Sequence, residues 1–136
     1  MTRIGLISDT HSHLDPKVFE YFKDCDEIWH AGDVGDFEVI QQLAAFKPVR
    51  GVYGNIDGHD VRAQYPLDNR FTIEGVDVWI THIGGYPGKY SGRVKSILES
   101  LPTKLTLKSV LKLSGFTKLA FLSKLQAGSL ATLFIK

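Results

Sequence analysis

Apolar residues come in short runs separated by turn-forming residues, and four of these runs end on a side chain that can bind a metal. Residues 3–8 run into Asp9-Thr10-His11, and residues 27–30 run into Gly32-Asp33. Residues 49–53 run into Gly54-Asn55-Ile56-Asp57, and residues 76–81 run into His82. Runs of this length bounded by Gly, Asn and Asp read as strands. In open α/β sheets ligands gather at the carboxyl ends of strands, so the pattern predicts that these residues meet in one crevice.

Helices are expected between the strands. Asp15-Pro16 offers an N-cap and a first-turn proline, with Val18, Phe19 and Phe22 on one face and an end near Asp24. Asp36 is a second N-cap candidate, ahead of Phe37, Ile40, Leu43 and Ala44 at helical spacing. This alternation predicts βαβ units and a mostly parallel sheet. Residues 70–74 and 76–81 read as a hairpin turning at Gly75, and a glycine-rich loop follows at 84–88. A further helix is expected over 92–101, with Val94, Ile97, Leu98 and Leu101 facing inward.

A chain of 136 residues with 43% hydrophobic content supports one core rather than two domains of comfortable size. No run reaches the roughly 18 apolar residues of a membrane span, and the stretch 4–7 meets Asp9 too soon for a secretory leader. A soluble, cytoplasmic protein is expected. The single cysteine, Cys25, fits a reducing compartment. Among Asp24, Asp26 and Glu27 it reads as a small residue at a helix–strand junction rather than a reactive thiol.

The net charge of +1 hides a split. Residues 1–99 carry all 15 acids against 10 Lys and Arg, a balance of −5, whereas residues 100–136 carry six Lys and no acid. The segment 102–136 is rich in Leu, Lys, Ser and Thr and reads as helical, with Lys104, Lys108 and Lys112 on one face and Leu107, Val110 and Leu111 on another. Three readings stand open: a cationic helix for a membrane surface, a helix packed on the domain, or a segment foreign to the rest of the fold.

The candidate ligands are two Asp, two His and one Asn, a mixed oxygen and nitrogen set that suits divalent transition metals. Singly, each motif is weak: Asp-x-His is a common surface triplet, and Gly-Asp usually marks a turn. The ordered set is specific. Asp9-x-His11, Gly32-Asp33, Gly54-Asn55-x-Asp57 and Thr81-His82 resemble the calcineurin-like metallophosphoesterases. The small bacterial and archaeal phosphodiesterases related to the vacuolar sorting subunit of retromer are the branch they resemble most.

That resemblance implies an α/β/β/α sandwich around two divalent ions, drawn from Mn, Fe, Zn or Ni. It implies that Asp9 and His11 hold the first ion, Asp33 bridges, and Asn55 and His82 hold the second. The implied reaction is phosphoester hydrolysis by a metal-bound hydroxide on a small-molecule substrate. Many members place an acidic histidine after the Asn, where this chain has Ile56. His59 is the candidate substitute, joining Asp33 and Asn55 as candidate catalytic residues, with a solvated loop histidine as its alternative. Asp57 is a candidate second-shell partner of a ligand, with turn formation as its alternative. His13 and His30 flank the motifs as crevice or structural residues, and Lys89 and Arg93 could meet a phosphate.

The family completes its ions with a later Gly-His-x-His segment, and nothing like it follows His82, the last histidine. The family's later strands also have no evident counterpart. The core is therefore expected over 1–101, with the fold incomplete beyond it through frameshift, truncation or divergence. A binding protein of the same fold and a defective product are the competing readings. Nucleic-acid binding is disfavoured, because aromatic and arginine interleaving is absent from the basic segment.

Overall fold

The computed structural model describes residues 1–86, 89–100 and 130–135. The first strand, β1 (Thr2–Ile7), pairs in parallel with β2 (Glu27–His30), which pairs in parallel with β3 (Val49–Gly51). Helices α1 (Lys17–Tyr21), α2 (Glu38–Phe46) and α3 (His59–Gln64) follow these strands in turn. The strands β4 (Asp68–Ile73) and β5 (Val76–Thr81) form an antiparallel hairpin across Glu74-Gly75, both at positive φ (48° and 76°), as a two-residue primed turn requires. Two short strands, β6 (Gly85–Tyr86) and β7 (Lys89–Tyr90), pair inside the glycine-rich loop, ahead of α4 (Gly92–Ser100).

Alternation along β1 and β2 builds two cores. Ile7 and Ile28 point to the helices and join Val18, Phe22, Cys25, Ile40, Leu43 and Val61. Ile4, Leu6 and Trp29 point the other way and meet Val52, Val78, Ile80 and Phe71 of the hairpin side. The Trp29 and Phe71 rings meet edge to face with centroids 5.1 Å apart, which locks the hairpin over the sheet. Helices thus cover one face of the parallel sheet and the hairpin covers the other. Helix α4 is held to the hairpin by Arg93, whose guanidinium pairs with Asp68 and donates to Thr81 Oγ1 at 2.9 Å.

Several local expectations need correction. Helix α1 stops at Tyr21, short of Asp24, and its entry is held by Asp15 Oδ1 accepting from the Lys17 N–H at 2.9 Å. Asp36 is no side-chain cap: α2 starts without one, and Asp36 instead donates its own N–H to Ser12 Oγ at 2.9 Å. His59, whose alternative reading is a loop histidine, is the first residue of helix α3.

The largest correction concerns 102–136. Leu130–Ile135 forms a strand, β8, pairing antiparallel with β1 over its whole length, from Thr2 opposite Ile135 to Ile7 opposite Leu130. The sheet order is β3-β2-β1-β8. The other edge of β1 would otherwise present a row of unpaired backbone groups. An uncharged six-residue run satisfies them, which outweighs the helical reading there. The rest of that helical reading, 102–129, lies outside the described residues, as does Leu101.

Candidate metal centre

The crevice is built from the loops that leave β1, β2, β3 and β5. Backbone bonds stitch the first two together beyond the strand ends: Asp9 N–H to Gly32 O at 3.0 Å, His11 N–H to Asp33 O at 3.1 Å, and Ser12 N–H to Val34 O at 2.8 Å. Three residues of the ligand set sit in the left-handed region, Asp9 at φ 55°, His11 at 46° and Asp33 at 55°. Asp and His tolerate that region better than most side chains, yet each still costs on the order of 1–3 kcal/mol, an expense characteristic of functional loops.

Ligand atoms of Asp9, Asp33 and His82 lie within 4.8 Å of one another. His82 is buried, and its Nδ1 stands 2.8 Å from Ala31 O. A carbonyl only accepts, so Nδ1 carries a proton. Nε2 faces Asp33 Oδ1 at 3.3 Å and Asn55 Oδ1 at 3.2 Å. A cation among these atoms would draw on all three, and a backbone carbonyl on the far ring nitrogen is the usual brace of a ligating histidine. The donor set fits a divalent metal.

Asp33 presents a different oxygen to each histidine. Its Oδ1 faces His82, and its Oδ2 lies 3.7 Å from Nε2 of the half-exposed His11. Oδ1 also accepts from the Ile56 N–H at 3.2 Å. Burial raises the pKa of Asp9, partly countered by the Ser8 hydroxyl donating to Oδ2 at 2.5 Å. The crevice therefore penalises uncompensated negative charge on Asp9.

Glycines make the close approach possible. A Cβ at Gly54 would collide with the Asp33 carboxylate and backbone. A Cβ at Gly32, where φ is +96°, would lie 2.8 Å from the His82 ring.

The structure thus brings together Asp9, His11, Asp33, Asn55 and His82, all five expected ligands. It leaves His59 apart: that residue opens α3 with its side chain exposed and makes none of the hydrogen bonds or ion pairs of the cluster. Asp57 is buried, and its carboxylate accepts from backbone groups. Its Oδ1 accepts from Gly35 N–H at 2.8 Å and its Oδ2 from Gly54 N–H at 2.7 Å, so it ties two ligand loops together through their backbones. His30 lies wholly beneath the crevice. Gly32 N–H donates to Nδ1 at 3.2 Å, which leaves Nε2 as donor to Thr10 Oγ1 at 3.1 Å, and the Thr10 hydroxyl donates to Val34 O at 2.9 Å. Burial drives the His30 pKa down to about 4 and keeps the ring neutral. His13 is exposed, and Arg93 is occupied by Asp68.

Two contributors went unread in the sequence. Thr10, between two expected ligands, gave no signal of its bond to His30. Arg62 looked like one more surface cation, but its Nε donates to Asp57 O at 2.6 Å and its guanidinium lies 4.5 Å over the Tyr53 ring.

Residues 2–117 match the calcineurin-like phosphoesterase superfamily domain, and the chain belongs to that family. A probable metallophosphoesterase of Methanothermobacter thermautotrophicus is 31% identical over 128 residues, spanning 90% of this chain and 70% of that protein. A Thermotoga maritima protein solved by NMR aligns at 28% identity with a TM-score of 0.61, over 75% of this chain and 69% of its own. Vps29 of Chaetomium thermophilum shares the fold at 19% identity with a TM-score of 0.51, over 60% of this chain and 47% of Vps29. Among the described residues no helix is long and apolar enough to cross a membrane.

Proposed function

We propose that the protein hydrolyses phosphodiesters at a centre of two divalent ions, drawn from Mn, Fe, Zn or Ni. The observation that carries the reading is the split of the Asp33 carboxylate, one oxygen toward His11 and the other toward His82. Asp9 and His11 would hold one ion, Asn55 and His82 the other, and Asp33 both. When bound, such ions acidify water and stabilise charge developing on phosphoryl oxygens. The chain's own contribution is placement. Ala31 O fixes the tautomer and direction of His82, Asp57 holds the Gly54-Asn55 turn, and the stitched β1 and β2 loops fix the spacing of Asp9 and Asp33. A cytoplasmic setting accompanies this reading, in keeping with a lone cysteine buried in the core.

The test is metal analysis of the purified protein together with turnover of bis-p-nitrophenyl phosphate. Two ions per chain and turnover lost by at least about a hundredfold in Asp33→Asn are expected. One ion or none, with no turnover, would overturn the proposal. A second reading, a binding protein of the same fold, draws on residues 83–136, which hold no histidine to match the later segment that the family resemblance implies. It predicts the same failed turnover with the fold intact.

A further inference from the structure

An open cleft of about 310 Å³ begins at Asn55 and His82 and runs past Tyr53, Leu67, Ile83 and Arg62. Its size is at the lower end of the range for small-ligand sites, about 300–1,000 Å³, and exceeds what a phosphate group alone fills. Two of its walls are apolar and open to water: Leu67 is 40% exposed and Ile83 is 51% exposed. Tyr53 adds an aromatic ring, with the Arg62 guanidinium 4.5 Å from its centroid.

The charge in the cleft is unequally balanced. Arg93 also lines it but pairs with Asp68. Arg62 bonds only to backbone carbonyls, those of Asp57, Gly54 and Asn55, and has no carboxylate partner among the described residues. A cation without a counter-charge, next to an apolar shelf and the proposed ligands, matches an anion carrying one charge and an apolar substituent. A phosphodiester has that character, whereas a monoester brings a second charge and no second arm.

We propose that this cleft seats the ester arm of the substrate, with Leu67, Ile83 and Tyr53 against the arm and Arg62 near the anionic oxygen. The inference rests on the phosphoesterase reading and narrows it to diesters with apolar or aromatic arms.

Binding of diphenyl phosphate and dimethyl phosphate, two diesters of equal charge, to the manganese-supplemented full chain tests this without turnover. By calorimetry, diphenyl phosphate should bind at least about tenfold tighter, given the apolar area it would bury. Amide shifts on its addition to the zinc-loaded chain, which is diamagnetic, should centre on Tyr53, Leu67 and Ile83. The double variant Leu67→Ser, Ile83→Ser should erase the preference while leaving dimethyl phosphate within about twofold. Tyr21→Ser, at an exposed residue on α1, should leave the preference intact. Equal affinity for the two diesters in the unaltered chain overturns the proposal, as does a double variant that keeps the preference while melting normally. Turnover of bis-p-nitrophenyl phosphate separates the two ideas. Turnover without preference removes the arm site and leaves the phosphoesterase, while preference without turnover keeps the arm site and removes the phosphoesterase.

Discussion

The Asp33 carboxylate occupies the space that a side chain at Gly54 would fill. One residue leaves β2 and the other leaves β3, so the proposed bridging ligand exists in its present position only because its neighbour has no Cβ. Gly54→Ala should lower stability by about 1–3 kcal/mol through overpacking and displace Asp33 from the histidines. Thermal melts alongside metal analysis check this, and a variant that keeps full metal content would contradict it.

Arg93 brackets His82 by gripping the residues on either side of it, donating to Thr81 Oγ1 at 2.9 Å and Ile83 O at 3.2 Å. Arg93→Met keeps the aliphatic stem and removes both bonds as well as the Asp68 pair. Allowing for the partial exposure of that pair, we expect a loss of about 1–2 kcal/mol. Metal affinity should fall about tenfold, in the manner of an outer-shell partner. Denaturant titration and competitive chelation read the two effects separately.

His30 gives stability a pH dependence of known sign. The folded protein excludes the proton until pH falls to about 4, whereas the unfolded chain takes it up near the ordinary histidine value of 6.5. Between those values the unfolded state binds more protons, so stability is full above the window and declines as pH drops through it. The fall should approach about 3 kcal/mol at the lower end. Urea melts across the window should show it, and His30→Gln should flatten the slope. An unchanged slope in that variant would assign the effect elsewhere.

His59 separates two accounts of the leaving group. A general acid is worth about 10²–10⁴ in rate. His59 is exposed at the start of α3 and outside the cluster's contacts, so we expect His59→Ala to stay within about threefold of the parent in kcat on bis-p-nitrophenyl phosphate. A larger loss with unchanged metal content would restore it as the acid.

Much of this was legible in the sequence because strand ends and ligand types coincide. The four apolar runs, the Gly75 hairpin and the helix opening at Gly92 follow from periodicity and turn chemistry, and the five expected ligands do meet. What escaped was non-local. Asp57 looks like a ligand's partner from its spacing, but its carboxylate binds two backbone N–H groups, one of them 22 positions away at Gly35. Residues 130–135 read as part of a helical segment until the open edge of β1 is known. Arg62 carries no signature at all, since its role depends on where α3 places it relative to Tyr53.

The stitching of the β1 and β2 loops by main-chain bonds has an evolutionary corollary. Replacing Asp9, His11 or Asp33 removes donors from the crevice but none of the three bonds that shape it. Chemistry and scaffold are thus separately mutable, and a lineage can shed catalysis while inheriting the surface. A hydrolase built this way lies a few side-chain changes from a protein that only binds.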